Sequence, residues 1–270
     1  MINFIDIICK YIKKHSKKYD FSHYNQKYDL KLIIKELLYF LRTGLSWRDY
    51  RGDINWHTLY YHHNYFKKYN YFKKIYKLML NKYFKKNKYG KLKYQLIDSS
   101  AVKNQFGVNK IGRNKFYKNK KIMKISLVTD MNGIPISVLL DKGNRYDSTF
   151  ITDHLNDLYV VTNSRKYYNC KYKQYFLGDA GYDSKKNKKM LENYKYNVII
   201  APNNRNTKNP IKIRKLTKKQ KIIYKKRIKI ENTFSWIKKF KRLNNRFDKY
   251  AATYESFLFL ALIKILYLRI

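Results

Sequence analysis

Three carboxylates in this chain stand where they could bind a cation. Asp98 closes the short apolar run of KYQLIDSS, Asp179 follows the apolar YFLG, and Glu231 sits among cationic neighbours in YKKRIKIENTFSWIKK (residues 224–239). Acids at the carboxyl ends of strands lie where ligands collect in α/β sheets. Three converging carboxylates repel one another unless a cation lies between them. Mg²⁺ held by carboxylates together with substrate phosphates suits phosphoryl transfer. Acids in these positions also serve as caps and turn formers, so spacing alone leaves both readings open.

The stretch around Glu231 contains no Gly or Pro and predicts a helix. At about 100° per residue, Ile223, Ile230, Phe234 and Ile237 form an apolar stripe that should bury. Tyr224, Arg227, Glu231 and Lys238 fall on an adjacent arc of roughly 60°. One reading of Glu231 is an ordinary surface ion pair with Arg227 at i,i+4. The other is a carboxylate presented beside cationic and phenolic groups that recognise phosphate. Trp236 falls on the far side of this helix and reads as a packing residue.

The elements that must position these residues change in texture along the chain. Residues 1–88 read as a small all-α domain of helix-turn-helix character. It comprises a short amphipathic helix over Ile2–Ile12, LKLIIKELLYFLRT capped by Gly44, a helix from about Trp56, and FKKIYKLMLNKYFKK. His57, His62 and His63 have no Cys or acidic cluster beside them, which disfavours a metal role. Residues 89–270 alternate strands and helices. KYQLIDSS is a strand ending at Asp98, residues 103–120 a basic polar loop, and KIMKISLVTD and IPISVLLDKG a hairpin around DMNG. A helix over Thr149–Leu158, a strand into Asp179, a helix over Ser184–Tyr194 and the strand NVIIAP follow. A basic loop over 203–218, the Glu231 helix and a final helix from about Tyr254 complete the order, which implies an α/β (α+β) mixed sheet flanked by helices.

The formal net charge is +43 with a pI near 10.0. Much of it is Lys, accompanied by abundant Asn, Ile and Tyr, a combination that A/T-rich codons favour. The charge still favours a polyanion, nucleic acid above all, as partner. The 29 tyrosines would allow base stacking besides ordinary packing. Cys9 and Cys170 are far apart and in no metal-binding spacing, which predicts free thiols and no structural zinc. Charges near the start interrupt any secretory signal, and Lys264 interrupts the apolar FLFLALIKILYLRI, which reads as a buried helix rather than a membrane span. The expectation is a soluble protein found with DNA inside the cell, whether nucleoid, nucleus or viral factory.

Several motifs together resemble the DDE transposases of the bacterial insertion-sequence type, in particular the insertion-sequence-five group and its Harbinger-like relatives. Tyr224, Arg227, Glu231 and Lys238 reproduce the Y-(2)-R-(3)-E-(6)-K signature with every spacing intact. LIDSS matches the first-acid segment, and Lys124, Asp130, Gly133, Pro135, Gly143, Asp147 and Ser148 match the segment K…D-x-x-G-x-P…G…D-S. Asp179, Gly181, Tyr182, Asp183 and Ser184 match the second-acid segment. LRTGLSWRDY (residues 41–50) is similar to the family's helical DNA-binding region. Residues 103–120 lack the paired glycines common in relatives, and the segment from Asn203 to Glu231 is too short for the large inserted domain that some carry.

The resemblance implies a ribonuclease-H-like, five-stranded mixed sheet for the larger domain. It implies that Asp98, Asp179 and Glu231 are catalytic and hold two Mg²⁺ ions, which Mn²⁺ could replace, for in-line displacement at phosphorus without a covalent protein intermediate. Arg227 and Lys238 would contact phosphates, Tyr224 would orient a phosphate or stack on a displaced base, and Trp47 and Arg48 would contact DNA. Asp147 and Asp183 read as turn or supporting residues. The implied partners are double-stranded DNA, as terminal inverted repeats and target, and a second copy in a homodimer, with no membrane. The implied activity is metal-dependent DNA cleavage and strand transfer. A domesticated nuclease or DNA-binding descendant is the alternative. A purely RNA- or polyanion-binding protein would account for the charge but not for the signature spacing.

Overall fold

The computed structural model describes residues 3–19, 27–86, 90–162, 174–205, 211 and 213–269. The boundary expected between residues 88 and 89, Cys170 and part of the 203–218 loop lie outside them. The chain divides into two compact units. One comprises residues 1–80, 102–109 and 236–270, the other residues 81–101 and 110–235.

The first unit is helical. Helix α1 (Phe4–His15) begins with a capping box, in which Asn3 caps the first turn and the Asp6 carboxylate accepts from the Asn3 N–H. Helix α2 (Leu30–Thr43) ends at Gly44, whose φ of 72° is the left-handed conformation that a side chain resists. A Cβ there would lie 3.1 Å from the Arg242 nitrogen and from the Lys241 carbonyl carbon. Gly44→Ala is therefore expected to cost about 1–2 kcal/mol from backbone strain alone, read as a lower urea midpoint at unchanged m-value. Helix α3 (Trp56–Lys68) starts where the sequence predicts, with Asn55 accepting from the His57 N–H. Helix α4 (Tyr71–Lys86) leads into the second unit.

The second unit is built on a sheet. Its strands are β1 (Tyr94–Asn104), the short β2 (Gly112–Asn114), β3 (Lys120–Thr129), β4 (Pro135–Lys142), β5 (Gln174–Gly178) and β6 (Tyr196–Ile200). Strand order runs β2-β3-β1-β5-β6, with β4 also paired to β3. The β3–β4 hairpin is antiparallel, while β1, β5 and β6 are parallel. This is the mixed sheet expected from the sequence, flanked by α5 (Phe150–Thr162), α6 (Lys185–Asn193), α7 (Lys218–Tyr224) and α8 (Ile228–Lys238). In the first unit, the end of β1 pairs with β7 (Asn245–Arg246), which follows the short α9 (Lys241–Asn244). The sheet thus has seven strands rather than five. Helix α10 (Ala251–Tyr267) is apolar nearly all round and buried, as such a helix must be. Among the described residues no helix is long and apolar enough to cross a membrane.

Two local expectations change. Asp98 does not end its strand: β1 continues to Asn104, and residues 103–120, expected as a loop, contain the end of β1, β2 and a 3₁₀ turn at Lys115–Tyr117. The helix around Glu231 is interrupted by a 3₁₀ turn at Lys225–Arg227 between α7 and α8. Residues i and i+3 eclipse in a 3₁₀ turn, so Tyr224 and Arg227 stand one above the other instead of spreading along an α-helical arc. The predicted stripe holds in α8, where Ile230, Phe234 and Ile237 are buried.

A polar network ties the hairpin to α5. His154, fully buried, is bracketed by the hydroxyls of Ser126 (2.8 Å) and Ser137 (2.7 Å), and Ser137 donates to Asp157 at 2.8 Å. Burial first, then the nearby Arg145 charge, lowers the His154 pKa to about 3. An unfolded His titrates near 6.5, so on acidification the unfolded chain takes the proton first. This contribution to stability is complete above about pH 6.5 and is lost as pH falls toward 3. For His154 alone the expected loss is about 2 kcal/mol between pH 7 and 5, and His154→Asn should flatten that part of a urea-denaturation pH profile.

Candidate active site

Asp98 and Asp179 are brought together by strand register. Leu96 pairs with Leu177 in the parallel β1–β5 ladder. Two further residues on each strand, 96 + 2 and 177 + 2, place Asp98 opposite Asp179. Gly178 allows this closeness, since a Cβ there would meet Ile97 at 3.0 Å. Asp179 then turns the chain into a 3₁₀ turn at Ala180–Tyr182, its Oδ1 accepting from the Gly181 N–H at 2.9 Å.

A third carboxylate stands close by. Asp147 Oδ1 accepts from Ser99 Oγ (2.7 Å) and from Lys124 Nζ (2.8 Å). A Cβ on Gly181 would lie 3.1 Å from Asp179 Oδ1 and 3.6 Å from Asp147 Oδ2. The glycine therefore leaves an open cradle between two carboxylates. Sequence reading placed Asp147 in a family segment but only in a supporting role; its nearness to Asp98 depends on a Ser99 contact across 48 residues.

The electrostatics record this crowding. Burial raises the Asp98 pKa to about 6, with Asp179 and Asp147 adding to the rise, while Arg227 and the Ser99 N–H oppose it. Arg227 Nη2 donates to Asp98 Oδ2 at 3.1 Å, and its Nη1 donates to the Tyr224 hydroxyl at 2.9 Å. The i,i+4 partner expected for Glu231 is thus turned instead toward Asp98. Arg227 Nε is buried and has no hydrogen-bond partner. The Tyr182 hydroxyl is likewise buried, and burial, with the charges of Asp147, Asp98 and Asp179, pushes its pKa well above the usual tyrosine range against the lowering effect of Ser126.

The remaining residues singled out from the sequence lie as follows. Glu231 is exposed on α8. The acids acting on Asp98 are Asp179 and Asp147. Thr233, two residues on, bonds the Gly133 carbonyl at 2.6 Å and fixes α8 against the β3–β4 turn. Lys238 is exposed in the last turn of α8 and belongs to the helical unit. In that unit Trp47 is half-buried, stacked on Phe40 at 4.1 Å, and Arg48 beside it is exposed. The Asp183 carboxylate, its side chain 3% exposed, is held between Lys188 (2.7 Å) and Arg214 (2.6 Å), a structural anchor. Trp236 packs under Arg269, 3.5 Å from its ring centre.

Among the described residues no three His, Cys, Asp or Glu side chains form a ready-made metal centre. The fit to a cation rests on the pair. Asp98 and Asp179 offer carboxylate oxygens side by side, the Asp179 charge helps to raise the Asp98 pKa, and Gly181 keeps the space between Asp179 and Asp147 open. Mg²⁺ is commonly held by one or two carboxylates completed by water and substrate phosphate. The residues present fit that group.

Residues 90–266 match the family model of the transposase DDE domain, and the chain belongs to this family of transposases. It is similar to a protein of Burkholderia cepacia assigned as a transposase for insertion sequence element IS402. The two are 25% identical over 154 residues, 57% of this chain and 67% of the relative. Two solved structures of the Mos1 mariner transposase catalytic domain, one with raltegravir and Mn, align at 12% and 13% identity. They cover 62% and 64% of this chain and 87% and 92% of theirs, with TM-scores of 0.31, too low to carry any argument about the site.

Proposed function

We propose that this protein is a DNA transposase that binds the inverted repeats at transposon ends, cleaves the strand there and transfers it to target DNA. The observation that carries the reading is the Asp98–Asp179 pair, set by the parallel β1–β5 register, with the Gly181 cradle beside Asp179 and with Arg227 and Tyr224 at Asp98. Asp98 and Asp179, with Glu231, would hold two Mg²⁺ ions. When bound, the cations supply Lewis-acid activation of the attacking hydroxyl and charge neutralisation on the leaving oxygen.

The chain's own groups do the rest. Arg227, already oriented by Asp98 and Tyr224, places its guanidinium charge where a phosphate would approach the acid pair. Asp147 is held by Lys124 and Ser99, so the acid next to the pair cannot swing away. Lys238 contributes a point charge toward DNA, and Arg48, with the exposed part of Trp47, contacts DNA from the helical unit. Two copies would pair two transposon ends as a homodimer.

The test is cleavage of a labelled duplex carrying the terminal repeat, with Mg²⁺ and with EDTA. Metal-dependent nicking at the repeat end is the expected result. Binding without nicking would move the assignment to a domesticated DNA-binding descendant, and failure to bind DNA would overturn it.

A further inference from the structure

The segment between β2 and β3 carries a feature that the site does not use. From Arg113 to Lys121, five of nine residues are Lys or Arg and none is acidic. The Asn114 side chain fixes the turn, accepting from the Phe116 N–H at 2.9 Å and donating to the Gly143 carbonyl at 2.6 Å. At its tip Phe116 is 84% exposed. A phenyl ring held in water on a braced, cationic turn gains nothing for folding, since burial is what stabilises such a side chain. A second exposed ring, Tyr146 at 80%, precedes Asp147.

The two rings flank one stretch of β3. Gly112 and Asn114 pair with Ile122 and Lys120, the Gly143 N–H donates to the Ile122 carbonyl, and Lys124 reaches Asp147. The turn therefore leads along β3 toward the acid pair. From Lys120 to Lys124 the strand rises about 13 Å, roughly four base-pair steps of DNA.

We propose that the Asn114–Lys121 turn is a base-stacking contact: Phe116, helped by Tyr146, stacks on unpaired bases of the DNA beside the cleavage point, and the surrounding Lys and Arg residues hold the phosphates. Every base offers a face to an aromatic ring, so the contact distinguishes unpaired from paired DNA and not one sequence from another. This rests on the reading of the site as one that acts on DNA. Charge complementarity favours nucleic acid over an acidic protein because the rings need flat partners as well as anions.

Binding of wild type, Phe116→Ala, Phe116→Trp and Lys118→Glu/Lys120→Glu is compared by fluorescence anisotropy. One terminal-repeat duplex is fully paired, and the other is opened by a short unpaired fork at the cleavage end. Phe116→Ala is expected to lose about tenfold on the forked duplex and under about twofold on the paired one, with Phe116→Trp restoring the difference. The double charge reversal should weaken both and flatten the salt dependence. In the forked duplex, 2-aminopurine fluorescence should be quenched by wild type and not by Phe116→Ala. Equal affinity of wild type and Phe116→Ala for the fork, or an equal loss on both duplexes, overturns the stacking role while leaving the proposed function standing. No binding of wild type to either duplex overturns both.

Discussion

Asp98→Asn is expected to lower strand cleavage by at least about 10³-fold while changing the affinity for the terminal-repeat duplex by less than about twofold. Removing the charge removes half of the pair that attracts the cation, and Lewis-acid stabilisation is worth several kcal/mol, with each 1.36 kcal/mol equal to about tenfold in rate. Binding should persist because phosphate contacts from Lys and Arg supply most of the affinity. A thermal-shift titration with Mn²⁺ gives an independent readout: the cation should raise the melting temperature of wild type and not of Asp98→Asn. Acid should mimic the substitution. The Asp98 carboxyl is raised to about 6 by burial and by its acidic neighbours, so it takes up a proton as pH falls through that value. A cation must displace that proton to bind, so the Mg²⁺ concentration needed for cleavage should rise as pH falls below about 6. Undiminished cleavage by Asp98→Asn would end the assignment of this residue.

The same experiment ranks the other acids. Glu231→Gln should abolish cleavage if the signature residue joins the pair when DNA and cation are bound. Asp147→Asn should do so if the acid beside Gly181 completes the site instead. Because Asp147 already accepts from Lys124 and Ser99, its loss should also weaken the β1–β3 region, visible as a lower melting temperature, whereas exposed Glu231 should leave stability unchanged.

The largest effect on stability is expected at Arg242. Its guanidinium is 1% exposed, donates to Asp248 Oδ1 at 2.5 Å and to the Leu45 carbonyl at 2.8 Å, and lies 4.1 Å from the Phe40 ring centre and 4.6 Å from that of Phe257. Asp248 is 5% exposed. Deleting one partner of a buried pair strands the other charge, at a cost of about 3–5 kcal/mol. Arg242→Ala should lower the melting temperature by on the order of 10 °C. Arg242→Met with Asp248→Leu, which removes both charges and keeps the packing against the rings, should recover most of that loss. A double variant as unstable as Arg242→Ala would show that the ion pair, not the stranded charge, supplies the stability.

Local features of this protein were legible in the sequence because local forces decide them. Gly44 stops α2 because the next carbonyls need a left-handed cap, and Trp56 opens α3 because Asn55 caps it. The DMNG turn closes the hairpin because Asp130 accepts from the Asn132 and Ile134 N–H groups. The extension of β1 past Asp98 was not legible, since Ser99, Ser100 and Ala101 carry no strand alternation. Nor was the 3₁₀ turn at Lys225–Arg227, because its residues suit an α-helix equally well.

By itself, then, the sequence determined the main helices and the hairpin, the cationic character and the family signature, and it singled out Asp98 and Asp179 as candidates. Only the tertiary structure decided which groups meet there. Arg227 faces Asp98 across 129 residues instead of pairing with Glu231 four residues away, and Asp147 comes to the pair through Ser99 and Lys124. These meetings depend on strand register and on one turn of 3₁₀ helix. A single-residue slip in either would turn every side chain to another face, and residue types in sequence carry no record of that choice.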